Sequence, residues 1–155
     1  MKEAKFELEF TSHVLANSTN VKGQKDVFQR DGDDNLVFQC SWWYTALTKA
    51  IELARVRGVK ASDISMDLTV KAPTEIYNRK YSGDQYREHE AIMPGTVVTF
   101  NAMVSDNITE SILRNILEKL GTYVGLSPYG HGLGYGKAHL KSLTVEPSDA
   151  ANLVR

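Results

Sequence analysis

The order in which strand-like and helix-like stretches follow one another constrains this chain more than any other feature. Residues 6–10 read FELEF, where Phe6, Leu8 and Phe10 alternate with charged residues. That is the period of a half-buried strand, and we read a first strand over 6–15. Trp43, Ala46, Leu47, Ala50, Ile51 and Ala54 then recur at helical spacing. Ser41 is a candidate N-cap for this first helix, Arg55 and Arg57 suit its C-terminal end, and Gly58 can stop it. Residues 63–72, DISMDLTVKA, alternate cleanly and predict a second strand, and TVVTFNAMV at 96–104 a third. The second helix has Thr109 as N-cap, Glu110 in its first turn, and Ile108 with Leu113 in the positions of a hydrophobic staple. Ile112, Leu113, Ile116, Leu117 and Leu120 form its apolar stripe, with Gly121 at its expected C-terminal cap. Ala138–Val145 reads as the last strand.

Strand, helix, strand, strand, helix, strand predicts an α+β, ferredoxin-like (RRM-like) βαββαβ fold, an antiparallel sheet with two helices on one face. The other face is then open unless a partner covers it. RNA-recognition modules of this topology use that face for single-stranded RNA.

The connecting segments are polar. Residues 16–35 hold Gly23, Gly32 and an Asp/Asn cluster, and read as a long loop with a short strand at 26–30. Loops of such length inside a domain are often functional. Asp31 suits the cap of an Asp-Gly turn. Residues 73–95 are tyrosine-rich, close on Pro94-Gly95, and read as a small thumb-like hairpin or loop. Six of the chain's 11 glycines lie between Gly121 and Gly136, just before the last strand. Residues 146–155 read as a tail, and 1–155 as a single domain.

Composition narrows the function classes. A net charge of −1 and a pI near 6.4 count against a grip on duplex DNA by bulk charge. Cys40 is the sole cysteine, so no intrachain disulfide is possible and a reducing compartment is expected. MKEAKFELEF shows no signal peptide, and no stretch reaches the roughly 18 apolar residues of a membrane span. No metal cluster, nucleophile elbow or His-Glu-x-x-His helix is visible, and neither a metal nor another cofactor is expected.

The glycine run has its own physical reading. Glycine lacks a Cβ, so backbone amides can approach a ligand, and successive N–H groups can cradle an anion such as an RNA phosphate. Gly130, His131, Gly132, Gly134, Gly136 and Lys137 are the candidate contacts there, with Tyr129 and Tyr135 stacking on bases. A tight crossover between helix and strand would also explain the glycines. Arg79, Lys80, Tyr81, Tyr86 and Arg87 interleave base and aromatic, a pattern suited to nucleic acid, although four acidic residues share the stretch. Lys22, Lys25 and Arg30 are candidate phosphate contacts after the first strand. Trp43 fits the core, leaving Trp42 or Tyr44 for an exposed surface.

Three stretches resemble the RAMP superfamily, the RNA-binding backbone subunits and crRNA-processing proteins of CRISPR systems. FQRDGDDNLVFQCSWWYTALTKAI is similar to its Arg-Asp turn, short strand and serine-opened first helix. EAIMPGTVVTF is similar to its Glu, Pro-Gly-Thr and third strand, and LGTYVGLSPYGHGLGYGKAHL to its glycine-rich loop. Order and spacing agree over about 5–145. Departures are Gln39-Cys40 in place of the usual Pro-Gly before the helix-opening Ser41, the Trp42-Trp43 pair after it, and a short chain. The resemblance implies a non-catalytic RNA-binding subunit that assembles with copies of itself or related subunits, in antiviral defence or as a virus-encoded relative, in the cytoplasm of a prokaryotic or infected host cell. By the same resemblance, Asp26 is the position nearest to the aspartate used by RNA-cleaving members. His13 and His131 are the candidates for a metal-independent endoribonuclease of the crRNA-processing type. A protein-interaction module that copies a backbone subunit is the remaining alternative.

Overall fold

A computed structural model describes residues 1–129 and 133–147. Gly130, His131, Gly132 and residues 148–155 lie outside the described residues. In chain order the elements are β1 (Lys2–Phe10), β2 (Val14–Leu15), β3 (Gln29–Arg30), β4 (Leu36–Val37), α1 (Cys40–Ala54), β5 (Ile64–Met66), β6 (Thr69–Val70), β7 (Glu75–Ser82), β8 (Gln85–Ile92), β9 (Val97–Val104), α2 (Glu110–Lys119) and β10 (Ala138–Pro147). A 3-10 turn at Ala61–Asp63 precedes β5, and a π turn at Leu120–Val124 follows α2. The chain is thus α+β with antiparallel pairing and two α-helices among the described residues. The main sheet runs β10–β1–β9–β5, and smaller sheets run β2–β8–β7 and β3–β4–β6.

One core unites the main sheet and both helices. Ala4, Phe6, Leu8 and Phe10 of β1 face Val98, Phe100, Ala102 and Val104 of β9, and Trp43, Leu47, Leu113 and Leu117 of the helices close over them. Phe6 stacks on Phe100 at 5.4 Å, and Trp43 meets Phe100 edge-on at 5.1 Å. Fully burying such side chains stabilises by about 1.5–3 kcal/mol each. Trp42 is also buried, beside Phe38 and Phe28, while Tyr44 is exposed.

Several local expectations change. The first strand stops at Phe10, whose carbonyl takes the Gly95 amide, and Val14–Leu15 pairs with β8 instead of the main sheet. The alternation at 63–72 hides a switch of sheets. Asp67 Oδ1 accepts the Thr69 amide at 3.1 Å, so β5 stays on β9 while β6 turns to β4. Ser41 is not the N-cap of α1. Gln39 holds that place, and its side chain bonds Ser18 Oγ at 2.6 Å rather than the helix. Arg55, at φ +56°, ends α1 before Gly58 is reached. Thr109 does cap α2, accepting the Ile112 amide at 3.2 Å, and Ile108 and Leu113 are both buried as a staple requires. Gly121 caps nothing. It lies inside the π turn, where a Cβ would stand 2.3 Å from the Ala138 carbonyl oxygen. β10 runs through Pro147, into the segment expected as a tail.

The face of the main sheet away from the helices is rich in carboxylates. Glu3, Glu7 and Glu9 of β1 alternate with its core residues, and Glu146 of β10 pairs with Glu3. No Phe, Tyr or Trp stands at the face-outward positions of β1 and β9. Lys5 of β1 and Lys141 of β10, the latter paired with Glu9, offset part of this charge, and without aromatic rings on β1 and β9 these strands offer no aromatic stacking platform for bases.

Candidate nucleic-acid interface

The segment expected as a hairpin or loop is a long hairpin of β7 and β8, with Gly83 in its turn at φ +52°. Its base is held by β2, where Val14 pairs with Ile92 and Leu15 with Ala91. Side chains alternate across a strand, so the register decides which candidates meet. Tyr77 stands opposite His89, and Arg79 opposite Arg87. These four share one face. Ile76, Lys80, Tyr86 and Glu90 lie on the other.

His89 organises the first face. It is fully buried, and its Nδ1 lies 2.7 Å from the Ala16 carbonyl oxygen, which can only accept. Nδ1 therefore carries a proton. Nε2 accepts the Nε–H of Arg79 at 3.1 Å, so the ring is the neutral tautomer. Tyr129 meets the His89 ring edge-on at 5.1 Å, and the Arg79 guanidinium lies 4.6 Å from the Tyr129 ring centre and 5.8 Å from that of Tyr81. These are cation–π distances. Beside them, the buried carboxylate of Asp26 forms an ion pair with Arg87. This hydrogen bond holds the Arg87 guanidinium above its usual pKa. Asp26 itself has φ +58°, and its carbonyl takes the Glu90 amide at 2.9 Å.

On the opposite face, Glu90 gathers Arg30, the Thr74 hydroxyl at 2.6 Å and the Phe28 amide at 2.8 Å. Arg30 is thus tied to the hairpin and away from Arg79. Lys80 and Tyr86 are exposed on this side. Lys22 and Lys25 are exposed at and beside a tight turn, in which Asn20 Oδ1 accepts the Lys22 and Gln24 amides, both at 3.0 Å. Asp31 accepts the Asn35 and Asp33 amides and its pKa is lowered, with the Asn35 amide the largest cause, as a turn cap requires.

The described parts of the glycine loop spend their amides internally. Gly125 N donates to Leu120 O, Leu126 N to Gly136 O, Gly136 N to His13 O, and Lys137 N to Ser12 Oγ, at 2.8 to 2.9 Å. The Tyr129 amide bonds Ser127 Oγ, and Lys137 Nζ reaches Tyr123 O at 2.6 Å. The expected cradle of free amides is therefore lost at the base of the loop. Gly136 serves close packing instead: at φ +72°, its Cβ would stand 2.7 Å from the Leu126 and Ser127 nitrogens. Gly130, His131 and Gly132 lie outside the described residues. Gly134, at φ +82°, has no described atom within 4 Å of a Cβ position.

Tyr135 reaches the hairpin, with its hydroxyl 3.3 Å from that of Tyr77. Burial, and then this hydrogen bond, pushes the Tyr135 phenol up to about 12. The His13 ring lies 4.1 Å from the Tyr77 ring, and burial lowers its pKa below the ordinary 6.5. His13 and Asp26 thus approach the hairpin from different loops, and Asp26 is engaged by Arg87. Of the sequence candidates, Arg79, Tyr81, Arg87, Tyr129, Tyr135, His13 and Asp26 come together; Lys80, Tyr86 and Arg30 do not join them. Sequence reasoning overlooked Tyr77 and His89 as part of this cluster. Period-two alternation over 75–92 is the signal that would have put both on the face of Arg79.

No family model matches the chain, and no curated protein matches it in sequence. Among solved structures it is similar to a chain in the cryo-EM structure of the Type III-B Cmr-beta bound to cognate target RNA. That match has a TM-score of 0.58 and 13% identity, over 94% of this chain and 61% of that one. The crystal structure of Thermofilum pendens Csc2 matches at a TM-score of 0.37 and 12% identity, over 93% of this chain and 66% of that one, too weakly to bear on the fold. The chain thus spans about two-thirds or less of either structure's length. At 13% identity the first likeness is one of fold alone, in keeping with the α+β architecture of this chain.

Proposed function

We propose that the protein is a non-catalytic, RAMP-like subunit that binds single-stranded RNA and assembles into a ribonucleoprotein or oligomer. The observation that carries this is the hairpin face, where two arginines stand across from each other beside Tyr81 and Tyr129. A basic and aromatic surface of this kind tracks a phosphate backbone and stacks bases, at about 1–3 kcal/mol per stacked base. The carboxylate-rich open sheet face points the contact to the hairpin and away from the sheet. We read the main sheet as ferredoxin-like: the order β10–β1–β9–β5, with a helix in the connection before β5 and another before β10, supports βαββαβ topology. The similar Cmr-beta structure is bound to cognate target RNA, which supports RNA over other ligands.

Binding of labelled single-stranded RNA and DNA at low salt, with size-exclusion chromatography before and after nuclease treatment, tests this reading. RNA retention and a nuclease-sensitive change in size are expected. A monomer that ignores both nucleic acids overturns it. RNA cleavage that is lost in His13→Ala or His131→Ala would replace it with the endoribonuclease reading.

A further inference from the structure

Arg79 and Arg87 stand directly opposite each other on one face of the hairpin. Like charges in that relation repel. Asp26 supplies a counter-charge to Arg87. Arg79 has instead the neutral Nε2 of His89, and no described carboxylate forms an ion pair with it. Two guanidinium groups therefore share one carboxylate, which leaves one positive charge uncompensated at the site. The Arg79 Nε–H is occupied by His89, and Tyr129 and Tyr81 lie against the guanidinium. What remains of Arg79 is the edge carrying its two terminal nitrogens. The neighbouring Arg87 side chain is 50% exposed.

We propose that this pair is a site for one phosphate group of a nucleic-acid backbone, and that His89 is the positioning residue that aims Arg79 at it. The inference rests on the RNA-binding reading and names which chemistry of the strand this face takes. A phosphate supplies the missing negative charge, and its oxygens accept paired N–H bonds from an arginine fork. A base edge offers no charge and leaves the excess in place. His89 suits the positioning role because its own orientation is set elsewhere. The Ala16 carbonyl fixes the proton on Nδ1, and this makes Nε2 an acceptor that only a donor such as Arg79 Nε–H satisfies.

The test is fluorescence anisotropy with labelled oligouridine and with an abasic sugar–phosphate oligomer of the same length, each over a range of salt. The parent protein is expected to bind both. Arg79→Gln should weaken both by about tenfold or more, and flatten the dependence of log affinity on log salt by about 0.7. Arg87→Lys, which keeps a partner for Asp26, should weaken binding while preserving the salt slope. His89→Leu should fall near Arg79→Gln, and His89→Gln, which keeps an acceptor, should recover most of the loss. The double variant of His89→Leu with Arg79→Gln should be no weaker than Arg79→Gln alone, an outcome that a purely structural His89 does not produce. If His89→Leu does not fold, the half-buried Arg79→Gln still decides the phosphate site. Oligouridine binding with unchanged affinity and slope in Arg79→Gln overturns the site while the RNA reading stands. So does failure of the abasic oligomer alone, which would show that bases are read. Failure of both oligomers in the parent protein overturns the RNA reading itself.

Discussion

Substituting Gly136 by alanine separates a packing role for the glycine run from a ligand role. Two costs act at that position. An L-residue at φ +72° costs about 1 kcal/mol relative to glycine. The added Cβ would also stand 2.7 Å from the backbone nitrogens of Leu126 and Ser127, neither of which is a flexible side-chain end. Relieving such overpacking costs about 1–3 kcal/mol, so the total is about 3 kcal/mol. It also strains the Leu126 N to Gly136 O and Gly136 N to His13 O hydrogen bonds, which tie the loop to the start of β2. For a chain of this length each kcal/mol lowers the melting temperature by roughly 3 °C, so thermal unfolding should shift by about 9 °C. Gly134→Ala is the control. Its φ of +82° incurs the same conformational cost, but no described atom lies within 4 Å, so a loss of about 3 °C is expected. Equal melting temperatures for the two variants would refute the close approach of Gly136 to the Leu126–Ser127 backbone.

Gly121→Ala should be destabilising despite alanine's better helix propensity, because its Cβ meets the Ala138 carbonyl oxygen at 2.3 Å; urea unfolding that shows a gain in stability would refute this. Thr109→Ala should cost about 1 kcal/mol by removing the cap on Ile112 N, and an unchanged urea midpoint would refute the cap. His13 should titrate below 6.5 by NMR, since burial disfavours its cation. The unfolded chain then binds more protons just below that pH, so stability should fall as pH drops through the window beneath 6.5. The Tyr135 phenol, raised to about 12 by burial and by Tyr77, should ionise above the other tyrosines in a phenolate absorbance titration, with Tyr135→Phe as the assignment. Stability should decline from about pH 10 to about 12, because the folded state retains that proton longer.

Much of the candidate site is legible as composition but not as arrangement. Arg79, Tyr81 and Arg87 are visible as a basic and aromatic stretch. That Arg79 and Arg87 oppose each other follows from the hairpin register, which depends on where Gly83 turns the chain and on the irregularity between Lys80 and Ser82. Asp26 lies 61 residues from Arg87, and Tyr129 lies 50 residues from Arg79 by their numbers. No local pattern records such pairings. The glycine run suggests exposed amides, yet its described base is packed: Gly121 lets the π turn meet the Ala138 backbone of β10, and Gly136 lies against the Leu126–Ser127 backbone.

By itself the sequence determined the elements whose signals lie within a few residues of each other. These are the alternation of Phe6, Leu8 and Phe10, the helical stripe around Ala46 and Ala50, and the Thr109 cap with its Ile108–Leu113 staple. Side-chain periods of two and 3.6 residues are local, and burial on one side is enough to enforce them. Tertiary structure alone decided where 63–72 changes sheets, that the chain passes Gly121 without stopping, and that His89 is sealed between Ala16 and Arg79. Each of those depends on a hydrogen-bond or packing partner on another element or loop, and such a partner is in place only once the chain has folded.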